Sequence, residues 1–223
     1  MKTENAKKWV TAGFLLMELV LYWLILTTGG DTLRFSSYGA IVLCLIYCLL
    51  VRGDRWMTGA LLCTVGADFC LVICTPIQQL WGMVFFLVAQ TLYAINLYKV
   101  KPSKVFIYVR AGLILAAIVL TVAVLGKNTD ALALISLCYY AQLILNAVQA
   151  FTQMGANKLR PWAFVLFILC DTVIGLQVAA SGYLPIAEGS VLYNIIFMDF
   201  NLSWLFYLPS QVLLALSAGQ KRQ

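Results

Sequence analysis

Residues 56–75 read WMTGALLCTVGADFCLVICT. In helical register a run of this length reaches about 30 Å, the thickness of a bilayer's hydrocarbon core. Asp68 is the only charge in it. The apolar residues are continuous rather than alternating, so a membrane strand is not indicated. The stretch therefore reads as a transmembrane helix with an acid near its middle. Working outward, the same pattern recurs at 9–28, 37–51, 57–75, 80–98, 104–125, 131–153, 161–180 and 196–217, the second being short. Gly29-Gly30, Pro76, Pro102, Gly126, Pro161 and Pro185 punctuate the runs. The expected fold is all-α: a polytopic membrane helix bundle of about eight transmembrane helices, forming a single transmembrane domain over 1–223.

Composition agrees with that reading. Hydrophobic types make up 63% of the 223 residues and charged types 11%. Soluble domains carry about 25% charged residues, and so few charges cannot cover a water-soluble globule. This excludes a soluble enzyme, a disordered chain and a nucleic-acid binder. The net charge of +6 sits between the apolar runs, where it sets orientation. Of the 15 Lys and Arg residues, all but Arg34 and Lys127 fall at one set of helix ends. The positive-inside rule then makes both termini cytoplasmic, and in a bacterium the host would be the cell membrane. Lys2, Lys7 and Lys8 precede a long first run with no small-residue cleavage site, which reads as an uncleaved span. Trp9, Trp56 and Trp162 mark the inner interface, and Trp23 and Trp81 the outer one.

The seven cysteines lie inside apolar stretches and read as small buried hydrophobes. There is no histidine, which removes the commonest metal ligand and general base. Neither a metal nor a cofactor is expected. FFLVAQTLYAI (85–95) resembles FYLPSQVLLAL (206–216), and TVGADF (64–69) resembles FILCDT (167–172). Two four-helix halves, 1–101 and 102–223, would explain this; shared membrane composition would also produce it.

Acids inside a membrane persist only with partners, in a wet cavity or for a function. Asp68 and Asp171 lie at matching depths on the third and seventh spans, roughly 14–18 Å in from Trp56 and Trp162. No Lys or Arg is expected at that depth, and apolar surroundings favour a carboxyl that keeps its proton. One neutral and one ionised carboxyl is the state that acid/base chemistry needs. The pair could also be two unrelated acids tied to neighbouring helices, or part of an ion path. Gln90 and Gln211, at mid-depth on the fourth and last spans, and Gln142 are able to hold a water or an ester oxygen, or to bond helices together. Glu18, one turn from Tyr22, reads as structural, and Asp199 as solvated near the outer end. Phosphate-loop, dinucleotide and nucleophile-elbow patterns are absent from the sequence.

Gly66-Ala67-Asp68, Phe167-Ile168-Leu169-Cys170-Asp171 and Tyr207-Leu208-Pro209-Ser210-Gln211-Val212-Leu213-Leu214, in that order on those spans, resemble the YhhN-type lysoplasmalogenases. The resemblance implies an integral membrane hydrolase that cleaves the vinyl-ether bond of a lysophospholipid drawn from the bilayer. Its products are a fatty aldehyde and a glycerophospho-alcohol. It implies Asp68 and Asp171 as catalytic residues and Gln90, Tyr93, Tyr207 and Gln211 as substrate-binding residues. Gln90 stands where relatives often carry a histidine. The competing reading is a non-catalytic lipid-binding or transporter-like membrane protein, because mid-membrane polar groups in two like halves also suit transport.

Overall fold

The computed structural model describes residues 2–182, 187, 189–198 and 200–220. Nine α-helices make up the fold among these residues: α1 (Lys2–Thr27), α2 (Gly30–Leu50), α3 (Arg55–Asp68), α4 (Gln79–Val100), α5 (Lys104–Leu125), α6 (Ala131–Phe151), α7 (Leu159–Gly182), α8 (Val191–Ile196) and α9 (Leu202–Ala218). Seven are long and apolar enough to cross a membrane: α1, α2, α3 with the π-turn that continues it, and α4 to α7. The chain is a multi-pass helical membrane protein.

The expected eighth span, 196–217, is divided in the structure. Residues up to Ile196 belong to the six-residue α8, residues 197, 198, 200 and 201 are not helical, and the apolar α9 has 17 residues. Asp199, Pro185, Lys221 and Arg222 lie outside the described residues. The second span is longer than expected: α2 starts at Gly30, where φ is +59°, a left-handed value that suits glycine at the tight turn out of α1.

Side-chain caps define several helix starts. Asp54 accepts from the backbone of Trp56 (2.9 Å) and Met57 at the head of α3. Asp130 accepts from Ala133 (2.7 Å) at α6, and Asn157 from Leu159 and Arg160 at α7. At the other end of α3 the helix widens into a π-turn, Phe69–Ile73, immediately after Asp68. Arg34 of α2 holds this turn, donating Nε to Val72 O (2.6 Å), Nη2 to Ile73 O and Nη2 to the Thr75 hydroxyl (3.0 Å). A cation on the last carbonyls of a helix satisfies acceptors that have no helical donor.

The seam between α3 and α4 is tight because it is built on glycines. A Cβ on Gly66 would fall 3.2 Å from the Phe85 ring, and one on Gly82 would fall 2.6 Å from Leu71. α7 packs on α9, α4 on α6 and α2 on α9, enclosing one apolar core. α5 lies outside this core against α6, and Thr121 is its only buried residue. Leu16, Leu50, Leu62, Leu115 and Val124 point outward and supply the apolar surface that lipid requires.

One end of the bundle gathers the connections. Lys7 donates to Gly219 O, Asp54 N to Ala218 O (3.2 Å), Asn157 Nδ2 to Ser217 O (3.3 Å) and Gln153 Nε2 to Leu97 O (3.0 Å). The start of α1 and the end of α9 therefore share a face with the 51–54, 101–103 and 152–158 connections. Within α9, Pro209 has no N–H to offer the Leu205 carbonyl four residues back. The Tyr22 hydroxyl of α1 donates to that carbonyl instead, at 2.9 Å.

Candidate functional site

Helix length sets the depth of both aspartates. Asp68 is the last residue of α3, about 20 Å along the helix from Arg55, and Asp171 lies about 18 Å along α7 from Leu159. Each meets a tyrosine from a neighbouring helix. The Tyr207 hydroxyl of α9 donates to Asp68 Oδ2 at 2.7 Å, and the Tyr139 hydroxyl of α6 donates to Asp171 Oδ2. The two acids belong to α3 and α7. They differ in cover: Asp68 is 3% exposed, and Asp171 is half-buried.

An aromatic cluster links the two pairs. The Phe86 ring lies 5.5 Å from Tyr139, 5.9 Å from Phe167 and 6.4 Å from Tyr207. Phe167 in turn lies 5.5 Å from Tyr207 and 6.5 Å from Tyr139. Offset and edge-to-face contacts at such separations fix ring positions, and the two rings that carry hydroxyls aim them at the two acids. α3, α6, α7 and α9 thus each contribute one member of the paired site, and α4 contributes the ring between them.

The remaining sequence candidates are distributed around this cluster. Tyr207 is brought to Asp68. Gln90, one turn beyond Phe86, is fully buried; its Oε1 accepts from Asn146 Nδ2 at 2.8 Å, and its Nε2 has no partner. Gln211, one turn beyond Tyr207, is likewise fully buried; its Nε2 reaches Ser210 Oγ at 3.1 Å and its Oε1 has no partner. Tyr93 packs edge-on against Phe164 at 5.5 Å, in the core rather than in the aromatic cluster around the aspartates. Glu18 is buried and accepts from the Cys44 thiol at 3.4 Å, beside a cleft of about 200 Å³ between α1 and α9.

Two residues escaped the sequence reading. Tyr139 stood only as a letter in an apolar run, and nothing marked it as the partner of Asp171. Arg110 read as a charge at the inner helix ends, whereas its guanidinium lies against α6, bonded to Gln142 and Asn146. A signal for the second was present. Gln142, Asn146 and Gln149 recur at spacings of four and three, which puts them on one face of α6.

A family model described as the YhhN family matches residues 33–218. No curated protein and no solved structure matches the chain.

Proposed function

We propose that this chain, which belongs to the YhhN family, is a lysoplasmalogenase-type hydrolase. It takes a lysophospholipid from the bilayer and cleaves its vinyl-ether bond. The observation that carries this reading is the pair of aspartates at one depth, each held by a tyrosine hydroxyl and joined through one aromatic cluster.

Vinyl-ether hydrolysis needs a proton donor and a carboxylate but no covalent nucleophile. Asp68 is assigned as the donor, because an ionised carboxylate is costly where water is excluded, and Asp68 is the more deeply buried of the two. Its proton goes to the alkenyl carbon distal to the ether oxygen. The π-electrons form that C–H bond and leave an oxocarbenium cation. Asp171, half-buried, stays ionised and stabilises the cation. Water then adds to the cationic carbon and gives its proton to Asp171. The hemiacetal collapses with cleavage of its carbon–oxygen bond to the glycerol, releasing aldehyde and alcohol, and one proton returns to Asp68. The open Gln90 Nε2 and Gln211 Oε1 supply a donor and an acceptor for the water or the ether oxygen. By the positive-inside rule the lysine- and arginine-rich end of the bundle, with both termini, is cytoplasmic.

The test is aldehyde release from a lysoplasmenyl lipid in proteoliposomes. Asp68→Asn and Asp171→Asn are each expected to lower the rate by about 10²–10⁴-fold, the usual contribution of a positioned acid or base. Unchanged release in both variants ends the proposal. Lipid uptake without any product favours the lipid-binding alternative.

A further inference from the structure

Arg110 carries a charge that neither the fold nor the hydrolysis explains. It lies about 9 Å along α5 from Lys104, on the helix that is otherwise the most lipid-exposed. Its Nη1 donates to Gln142 Oε1 at 3.0 Å, and its Nη2 donates to Asn146 Oδ1 at 2.9 Å and to Gln149 Oε1 at 3.3 Å. Gln142, Asn146 and Gln149 are all buried.

Three neutral amides orient a guanidinium but cancel none of its charge. No carboxylate pairs with Arg110 among the described residues. A cation in apolar surroundings is stable only with a counter-charge or access to water. Three acceptors also leave two of the five guanidinium N–H donors for another group. The side chain is half-buried rather than sealed. Gln149 Nε2, buried and without a partner, is a further donor on the residue that accepts from Nη2. Asn146 also donates to Gln90 O and Oε1 (2.9 and 2.8 Å). The cage is thereby coupled to the helix that carries Phe86.

We propose that Arg110, oriented by Gln142, Asn146 and Gln149, binds a phosphate ester, namely the headgroup phosphate of the lipid substrate. The identity of that lipid rests on the proposed hydrolase function. Guanidinium and phosphate pair well because planar donors match the phosphate oxygens. The spacing also fits. Gln142 and Asn146 lie one and two turns along α6 from Tyr139, roughly 5–10 Å, and Tyr139 holds Asp171. In a lysoglycerophospholipid five bonds separate phosphorus from the ether oxygen, about 6 Å when extended at ~1.5 Å per bond. A phosphate at Arg110 therefore brings the ether to the level of the aspartates.

The experiment uses the purified full-length protein in detergent and follows thermal stability during titration. The ligands are a saturated 1-alkyl-glycerophosphoethanolamine, the 1-alkylglycerol of the same chain length, and inorganic phosphate. The phosphate-bearing ether is expected to bind wild type about tenfold or more tightly than the alkylglycerol. Arg110→Gln should bind the two alike, and Arg110→Lys should keep part of the preference. Asp68→Asn should keep all of it. Equal binding of the two ethers to wild type overturns the proposal, as does a preference that survives Arg110→Gln. Inorganic phosphate acting as strongly as the phosphate ether places a free anion at Arg110 and overturns the headgroup assignment. The wild-type comparison decides even where Arg110→Gln does not fold. A headgroup preference in a wild type that releases no aldehyde defeats the hydrolase reading and leaves this one standing.

Discussion

Asp68 with Tyr207 and Asp171 with Tyr139 are the same chemical pair built twice, but they stand in different surroundings. The first joins α3 to α9 in the closed centre of the bundle, next to a π-turn. The second joins α6 to α7, where Asp171 is half-buried and the neighbouring residues form a second, exposed bond, Tyr140 Oη to Thr172 Oγ1 at 2.7 Å. In the proposed mechanism the more deeply buried residue, Asp68, holds the proton, and the half-buried one, Asp171, holds the charge. Two pairs in equal cover would give no reason for either acid to keep its proton while the other lost it.

The largest expected effect breaks the comparison at its acids. If they act as one unit, the Asp68→Asn, Asp171→Asn double variant should be no slower in aldehyde release than the worse single variant, since losses within a catalytic unit do not add. Additive losses would show two independent sites. Next come the hydroxyls. Tyr207→Phe leaves a buried carboxyl without its donor and should cost about 1–3 kcal/mol in thermal or denaturant unfolding. Tyr139→Phe should cost less, because Asp171 is the less buried of the two residues, while still lowering turnover. Equal stability losses would remove the asymmetry in cover. The smallest effect is at the exposed neighbour: Tyr140→Phe should change stability by less than about 0.5 kcal/mol and leave aldehyde release unchanged.

Most of the spans, and the places of the two aspartates along α3 and α7, were legible in the sequence, because rise per residue sets both. The start of the last span was not, since Phe197, Met198 and Phe200 carry apolar composition outside any helix and α9 begins only at Leu202. Which side chain meets each acid was also hidden. Tyr139 and Tyr140 are adjacent letters, and only the rotation of α6 against α7 decides which hydroxyl goes to Asp171. Gln90 and Gln211 were legible as buried amides, but Gln90 is claimed by Asn146, a residue 56 positions away. Tyr93 carries the same kind of hydroxyl as Tyr207, yet it faces Phe164. The partners of Arg110 were hidden because the charge rule counts a cation by its position along the chain, whereas its bonds to Gln142, Asn146 and Gln149 depend on how α5 packs against α6.

The missing rung at Pro209 is closed by a hydroxyl from another helix, Tyr22 of α1. As the ribosome extends the chain, α1 enters the bilayer long before α9. The Leu205 carbonyl therefore arrives to a waiting donor, and a break that would be costly in an isolated segment becomes a docking cue. The last helix of the bundle is finished by the first, which ties the completion of assembly to the recognition of its earliest member.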